Sequence, residues 1–246
     1  MHRLPPRLRV YVCGRLAVEF GPVVVPEAAF PARQGRRLWA FLVLHRQQPV
    51  GRADLAEAVW GDAVPDAWDV GLNALASRLR RSLRPLADPC PRLALRGEEG
   101  RYALVVPPDT FVDYERAREA LHRADVLMRR GELGAALGEA RVATEIAARG
   151  FLGGEDGDWV EGQRRRLAEV RLHALEYTVE AELGRGHPDT AEREAEFLVS
   201  LDLARERSLR LLARARQELE AGDRSDTGAA MAGAPSSGSP RLDRPD

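Results

Sequence analysis

The chain has 246 residues, 44% of them hydrophobic, which suits a globular protein of up to two modest domains. No apolar run is long enough to cross a membrane, and the start, MHRLPPRLRV, lacks the apolar core of a signal peptide. The formal net charge of −1 combines +6 in residues 1–106 with −7 in residues 107–246, so a polyanion such as double-stranded DNA could meet the first half, and a protein partner fits the second better.

The first 61 residues predict a small sheet followed by two helices. Residues 8–13, 16–20 and 23–25 are short β-prone runs separated by Gly-containing turns, which is typical of an antiparallel meander. The apolar spacing then changes to a helical period over residues 34–48, where Pro49 ends the first helix. A shorter helix is predicted over residues 53–60, with Gly61 placed to end it.

The third predicted helix, residues 67–84, has two very different faces, and Asp66 is its predicted N-cap. Leucines form one narrow stripe, at positions 72, 75, 79 and 83. The opposite face carries Asn73, Ala74, Ser77, Arg81 and Arg84, with Arg78 and Arg80 on its flanks. Since Asn and Arg can bond base edges and Arg can hold phosphates, this pattern favours a helix that lies in the DNA major groove. The alternative is a solvated surface helix.

A hairpin follows this helix and completes a recognisable arrangement. Residues 92–96 and 101–106 predict two short strands around the Gly-bounded turn 97–100. A meander, three helices and a hairpin in this order are typical of a winged helix-turn-helix, in which the hairpin is the wing that reaches the neighbouring backbone.

From residue 110 onward the sequence predicts helices only. They cover residues 112–130, 132–148, 158–183, 190–200 and 205–220, and small residues between leucines near residue 133 resemble tetratricopeptide helix pairs. Asp158 and Glu161 predict a capping box at the start of the long helix. The acidic run at residues 155–158 does not fit the twelve-residue calcium loop. Residues 223–246 are rich in Ser, Gly, Pro and Asp and predict a disordered tail.

The sequence gives little support for catalysis, metal binding or redox activity. Every basic side chain counted in the charge is Arg, so a single Arg is weak evidence for a site. Cys13 and Cys90 match no metal or redox spacing, and we find no phosphate loop or nucleophile motif. We expect free thiols in a cytoplasmic protein that is not an enzyme and that holds no metal and no cofactor.

Together these motifs resemble the Streptomyces antibiotic regulatory protein family. The N-terminal motifs are RRLWAFL at 36–42, DLAEAVWG at 54–61, LASRLRRSL at 75–83 and GRYAL at 100–104. The C-terminal motifs are DTFVD at 109–113, RGEL at 130–133, FLGG at 151–154, WVE at 159–161 and RLHALE at 171–176. The family usually closes with a further helix rich in Ala, Tyr and Arg, whereas this chain passes into its polar tail.

The resemblance implies a fold, a function and partners. It implies an α+β OmpR-like winged helix over residues 1–107 and an all-α tetratricopeptide-like bacterial transcriptional activator domain over residues 108–222. The implied function is transcriptional activation through binding of direct DNA repeats and contact with RNA polymerase, with the sigma subunit as one candidate. We expect a homodimer formed through the helical half and two halves that can be separated. The alternative is an interaction or dimerisation module that no longer binds DNA.

Ten side chains are the predicted DNA contacts. Asn73 and Ser77 are expected to face bases, Ala74 to meet a thymine methyl group, and Arg81 to take a base edge or a phosphate. The predicted phosphate contacts are Arg36, Arg37, Arg78, Arg80, Arg84 and the wing residue Arg101. Among these, Arg36 and Arg37 are the first candidates for simple surface solvation.

Overall fold

The computed structural model describes residues 6–232, with side chains as far as Gly222. The strands are β1 (Leu8–Tyr11), β2 (Ala17–Phe20), β3 (Val23–Pro26), β4 (Val50–Gly51), β5 (Ala94–Glu98), β6 (Arg101–Val105) and β7 (Phe111–Val112). The helices are α1 (Ala32–Leu44), α2 (Arg52–Trp60), α3 (Trp68–Ser82), α4 (Asp113–Arg129), α5 (Leu133–Ala148), α6 (Asp158–Gly184), α7 (Pro188–Leu201) and α8 (Glu206–Ala232). This α+β winged-helix region followed by an all-α domain confirms the predicted fold class.

The first sheet has the strand order β3-β2-β1-β7. The first three strands form the predicted antiparallel meander, in which Val10 lies opposite Val18. The sequence did not predict β7, which pairs in parallel with β1 and places Val112 beside Val10. A strand of only two residues carries no readable alternation, so this return of the chain into the first sheet is visible only in three dimensions.

Helices α1 to α3 pack beside this sheet, and the wing completes the region. The leucine stripe of α3 is buried, because Leu72 and Leu79 are both inaccessible to solvent. The wing is a three-stranded sheet of order β4-β6-β5. Its hairpin turn is Glu99–Gly100, and both residues have positive φ, as a type I′ turn requires. The turn is therefore two residues long and lies within the predicted segment 97–100.

The five remaining helices stack as antiparallel pairs, in agreement with the predicted tetratricopeptide-like architecture. Helix α6 packs against α4 and α5 on one side and against α7 and α8 on the other. The close contact of α4 with α5 depends on small residues, because the alanines at 117, 120, 124, 136, 140 and 143 are all fully buried. Small side chains allow two helix backbones to approach one another.

Three predicted helix ends differ from the structure. Ala67, not Asp66, precedes α3, and it makes no side-chain capping bond. Gly157 precedes α6 and Asp158 is its first helical residue, so the predicted capping box is absent. Helix α8 continues to Ala232, beyond the predicted end at residue 220. Extending an existing helix costs little, and the first proline after it is Pro235. The rest of the predicted disordered tail lies outside the described residues.

The hydrophobic core crosses the predicted domain boundary at residue 107. One cluster of buried side chains joins Val10 and Trp39 of the first region to Phe151 and Leu167 of the helical region. A second, smaller cluster lies between α6, α7 and α8. Because the first core belongs to both halves, a cut at residue 107 would divide it, and we expect that the halves do not fold separately there.

Candidate DNA-binding surface

Helix α3 presents one continuous stripe to solvent, opposite its buried leucines. The stripe consists of Val70, Ala74, Ser77 and Arg81, which lie at the helical spacing i, i+4, i+7 and i+11. All four are exposed, and the side chain of Val70 is 65% accessible. The side chains of Ser77 and Arg81 have no hydrogen-bond or ion-pair partner among the described residues. A stripe that combines an apolar group, a small residue, a hydroxyl and a guanidinium can read base edges and thymine methyl groups.

Asn73 lies beside this stripe and is held by two neighbours. Its Oδ1 accepts a hydrogen bond of 2.8 Å from the Tyr102 hydroxyl and one of 2.9 Å from Arg52 Nη1. Arg52 also donates to the Asp69 carbonyl oxygen at 2.9 Å, which fixes the start of α2 against α3. These bonds use both lone pairs of the amide oxygen, so Asn73 can offer a base only its NH2 donors.

Arg80 connects α3 to the wing. Its Nε donates to the Leu95 carbonyl oxygen at 2.9 Å, and its guanidinium lies 5.9 Å from the centre of the Tyr102 ring. These contacts fix the angle between the helix and the wing. The main role of Arg80 in the structure is therefore to connect α3 with the wing. Its Nε is used in this link, so only its other guanidinium nitrogens can contact a phosphate.

The other predicted phosphate contacts on this surface are freer. Arg84 and Arg101 are exposed and have no partner among the described side chains, while Arg78 makes one long bond of 3.4 Å to the Ala74 carbonyl oxygen. The tip of the wing carries two acids, Glu98 at the end of β5 and Glu99 in the turn. Because carboxylates repel phosphates, we expect the strands of the wing, and not its tip, to approach a DNA backbone.

Arg36 and Arg37 lie elsewhere, against the helical domain. The Glu155 carboxylate is 1% exposed and accepts a 2.6 Å bond from Arg36 Nε, while Arg37 Nε lies 3.4 Å from its other oxygen. Arg37 also donates to the Val59 carbonyl oxygen at 3.0 Å and pairs with Asp156. Arg33 pairs with Asp156 at 2.8 Å, and its bond holds the pKa of Asp156 below its usual range.

Both guanidinium groups are therefore bound to carboxylates, which corrects the prediction that Arg36 and Arg37 contact phosphates. The sequence could not reveal this, because their partners lie more than 110 residues away along the chain. The same ion pairs account for Glu155 and Asp156 of the acidic run. Among the side chains of residues 6–222, no group of three or more His, Cys, Asp or Glu is placed to hold a metal ion.

The structure thus gathers eight of the ten predicted residues on one side of α3 and the adjoining wing, and it adds three that the sequence analysis missed. Val70 could have been found from its helical spacing with Ala74 and Ser77. Arg52 and Tyr102 act through Asn73, and no sequence pattern links those three positions.

Comparisons with known proteins agree with this architecture. A sequence model of the bacterial transcriptional activator domain matches residues 112–226. Regulatory protein AfsR of Streptomyces coelicolor is 30% identical over 179 residues, which cover 73% of this chain and 17% of AfsR. Residues 112–226 thus match the bacterial transcriptional activator domain, and both matches agree with the resemblance to the Streptomyces antibiotic regulatory protein family. The chain spans only a small part of the length of AfsR.

A solved structure shows the same fold across most of the chain. Mycobacterium tuberculosis EmbR, in complex with a low-affinity phosphopeptide, superposes with a TM-score of 0.76 at 24% identity. The match covers 87% of this chain and 56% of the EmbR chain. The predicted combination of a winged helix with a helical activator domain is therefore confirmed as a fold. Among the described helices, none is both long and apolar enough to cross a bilayer.

Proposed function

We propose that this regulator binds DNA in a sequence-specific manner through α3 and activates transcription. The observation that carries the proposal is the solvent-facing stripe of α3, in which Ser77 and Arg81 are exposed and unpartnered beside a wing fixed by Arg80. In a winged helix-turn-helix this helix enters the major groove and the wing contacts the adjacent backbone. The net charge of +6 over residues 1–106 favours approach to a polyanion.

Substitutions on the stripe test the base contacts. Ser77→Ala and Arg81→Ala are each expected to weaken binding to the cognate site by about 1–3 kcal/mol if the side chain bonds a base edge. The loss should be confined to one base position, so binding to non-cognate DNA changes less. The measurement is fluorescence anisotropy with the cognate duplex and with single-base variants of it.

Arg130→Ala serves as the control for these variants, because Arg130 is an exposed arginine without a described partner at the end of α4. Asn73→Ala is less clean, since it also removes the acceptor of Tyr102 and Arg52. If Ser77→Ala and Arg81→Ala left both affinity and base preference unchanged, α3 would not be the reading helix.

Phosphate contacts have a separate signature in the salt dependence of binding. Arg78→Ala, Arg84→Ala and Arg101→Ala are each expected to lower the slope of log affinity against log salt concentration by roughly one unit. The reason is that each lost phosphate contact leaves one counterion on the DNA. Titrations at several salt concentrations measure the slope, and an unchanged slope removes that residue from the interface.

We also propose that the helical domain contacts RNA polymerase and joins two copies of the chain. Its net negative charge disfavours DNA, and stacked helix pairs build extended surfaces suited to proteins. Large apolar side chains are exposed around α7 and α8, at Phe197, Leu201, Leu203 and Leu209. Such a cluster supports an interface with another chain. An electrophoretic shift assay at low salt tests whether the chain binds DNA. It therefore distinguishes a DNA-binding regulator from the alternative, an interaction module that no longer binds DNA.

A further inference from the structure

The helical domain contains a groove that the DNA-binding surface does not involve. It has a volume of about 420 Å3 and lies between α4, α6 and α8. Polar lining residues are Arg118, His122, Asp125, His173, Tyr177 and Arg207. We call this the inner groove, because the alternate helices α4, α6 and α8 form it together.

The one acid that lines the inner groove is already satisfied. Asp125 accepts a 2.9 Å hydrogen bond from the Tyr177 hydroxyl and forms an ion pair with Arg129. These bonds, that of Arg129 first, hold the pKa of Asp125 below its usual range. Burial, followed by the neighbouring Asp125, raises the pKa of Tyr177 to about 12, so this phenol stays protonated and keeps donating. Asp125 therefore offers little free negative charge to a ligand.

Two cations, Arg118 in the inner groove and Arg166 one helical turn before the lining residue Val170, have no such partner. Arg118 lines the groove on α4, and Arg166 lies on α6 at helical spacing with Val170, His173 and Tyr177. Both are exposed, and neither forms an ion pair with a described side chain. Arg118 and Arg166 each follow by one helical turn a residue of the same hydrogen bond, which the Tyr114 hydroxyl of α4 donates to Gln163 Oε1 of α6 at 2.7 Å, so the two cations lie on adjoining parts of α4 and α6.

Many arginines of the domain are held by carboxylates, as with Arg116 and Glu139, Arg205 and Glu176, or Arg216 and Glu192. Arg130 and Arg165 are also exposed without an ion pair, but they do not line the inner groove. Because Arg118 and Arg166 have no carboxylate partner, their guanidinium groups are free to bind the negative charge of a ligand. The two histidines add N–H donors that suit a carboxylate.

The inner groove also has an apolar component. Val170 is 8% exposed and Leu121 is half-buried, and both line it. A ligand that matches the whole lining carries carboxylates and at least one apolar side chain. DNA does not match this lining, because it offers no apolar side chain for Val170 and Leu121. The domain around the groove also carries a net negative charge, which repels DNA.

We infer that the inner groove binds an acidic segment of a partner protein, with carboxylates on Arg118 and Arg166 and an apolar side chain over Val170 and Leu121. This inference deepens the proposed function. It rests on that function in one respect only, namely that the partner protein belongs to the transcription machinery. The binding itself depends on the groove alone, so it can be tested without DNA.

The test uses the full chain and a fluorescein-labelled twelve-residue peptide of Asp, Glu, Leu and Phe, followed by fluorescence polarisation at low salt. A matched peptide with Asn and Gln in place of the acids is the chemical control. The acidic peptide is expected to bind, and the double variant Arg118→Glu/Arg166→Glu should weaken it by about tenfold or more, because it reverses complementary charge. Arg165→Glu makes the same kind of change about 100° around α6 and should leave binding within about twofold.

Thermal unfolding first checks that the double variant is folded, and Arg118→Gln/Arg166→Gln replaces it if it is not. The inference fails if the acidic peptide does not bind, if the neutral peptide binds equally well, or if the double variant binds as the parent does. It also fails if the double variant loses DNA affinity or self-association to the same extent as peptide affinity. DNA or a second copy of the chain would then be the ligand of the inner groove. If the peptide binds as expected while the parent chain binds no DNA, the proposed function fails and the groove assignment stands.

Discussion

A fragment that ends at residue 107 is expected to remain unfolded, or to form only a loosely packed state, although it contains α1 to α3 and β1 to β6. It lacks β7, so β1 becomes an exposed sheet edge. It also loses many side chains of the shared core, among them Val112, Tyr114, Phe151, Leu152 and Val160. At about 1.5–3 kcal/mol for each buried side chain, the loss is on the order of 10 kcal/mol. That is comparable to the whole stability of a typical domain.

Polar contacts across the boundary add to this cost. The Asp113 carboxylate accepts hydrogen bonds from the backbone N–H groups of Val12 at 2.9 Å, Cys13 at 3.0 Å and Tyr114 at 2.8 Å. Burial raises the pKa of Asp113, and those three N–H groups oppose the shift. Without Asp113, the Val12 and Cys13 N–H groups would lose their acceptor.

Circular dichroism and urea unfolding measure the outcome, with residues 1–232 as the control fragment. The control should unfold cooperatively, and the short fragment should not. A short fragment that gave a sharp unfolding transition and bound DNA alone would show that the winged helix is independent after all. Helix α3 would then belong to a winged helix that moves independently of the helical domain, and the two regions would not form one rigid unit.

The second large effect is expected from Glu155→Ala. This carboxylate is buried, and it faces three arginines of α1: Arg33, Arg36 and Arg37. Removing it leaves a cluster of partly buried cations without their shared anion, which typically costs about 3–5 kcal/mol. For a chain of this size we expect the melting temperature to fall by roughly 10 °C or more.

Asp156→Ala is the matched control, because Asp156 is the adjacent acid and binds the same arginines Arg33 and Arg37 from an exposed position. Its substitution should change the melting temperature only slightly, since exposed ion pairs contribute little. Equal effects of the two substitutions would show that the buried position of Glu155 is unimportant. Differential scanning calorimetry of the parent and both variants decides the matter.

These two predictions share a structural consequence. Helix α1 is attached to the helical domain through Glu155 and also through the Phe41 ring, whose centre lies 5.0 Å from that of Trp159. The region that carries α3 is thus held in a fixed orientation relative to the helical domain. A partner bound on one side and DNA bound on the other would therefore be kept at a defined distance.

Much of the fold could be read from the sequence, because each element carries its own local pattern. The leucine stripe of α3 and the two-residue wing turn are periodic or conformational signals within a short stretch of chain. The bounds of α4 to α7 were predicted to within about two residues for the same reason. The exposed face of α3 follows directly from that leucine stripe, since 100° per residue fixes the opposite side.

The tertiary structure alone decided which cations are free to act. Chemically, Arg36 and Arg81 are identical in the sequence, yet Arg36 is bound to a buried Glu155 and Arg81 has no described partner. Asn73 likewise loses its free acceptor to Tyr102, 29 residues further along the chain. The sequence by itself determined the elements and their faces, since these depend on neighbours a few positions apart. The partners of each charged group, the shared core and the inner groove depend on contacts between distant segments, and no local pattern encodes those.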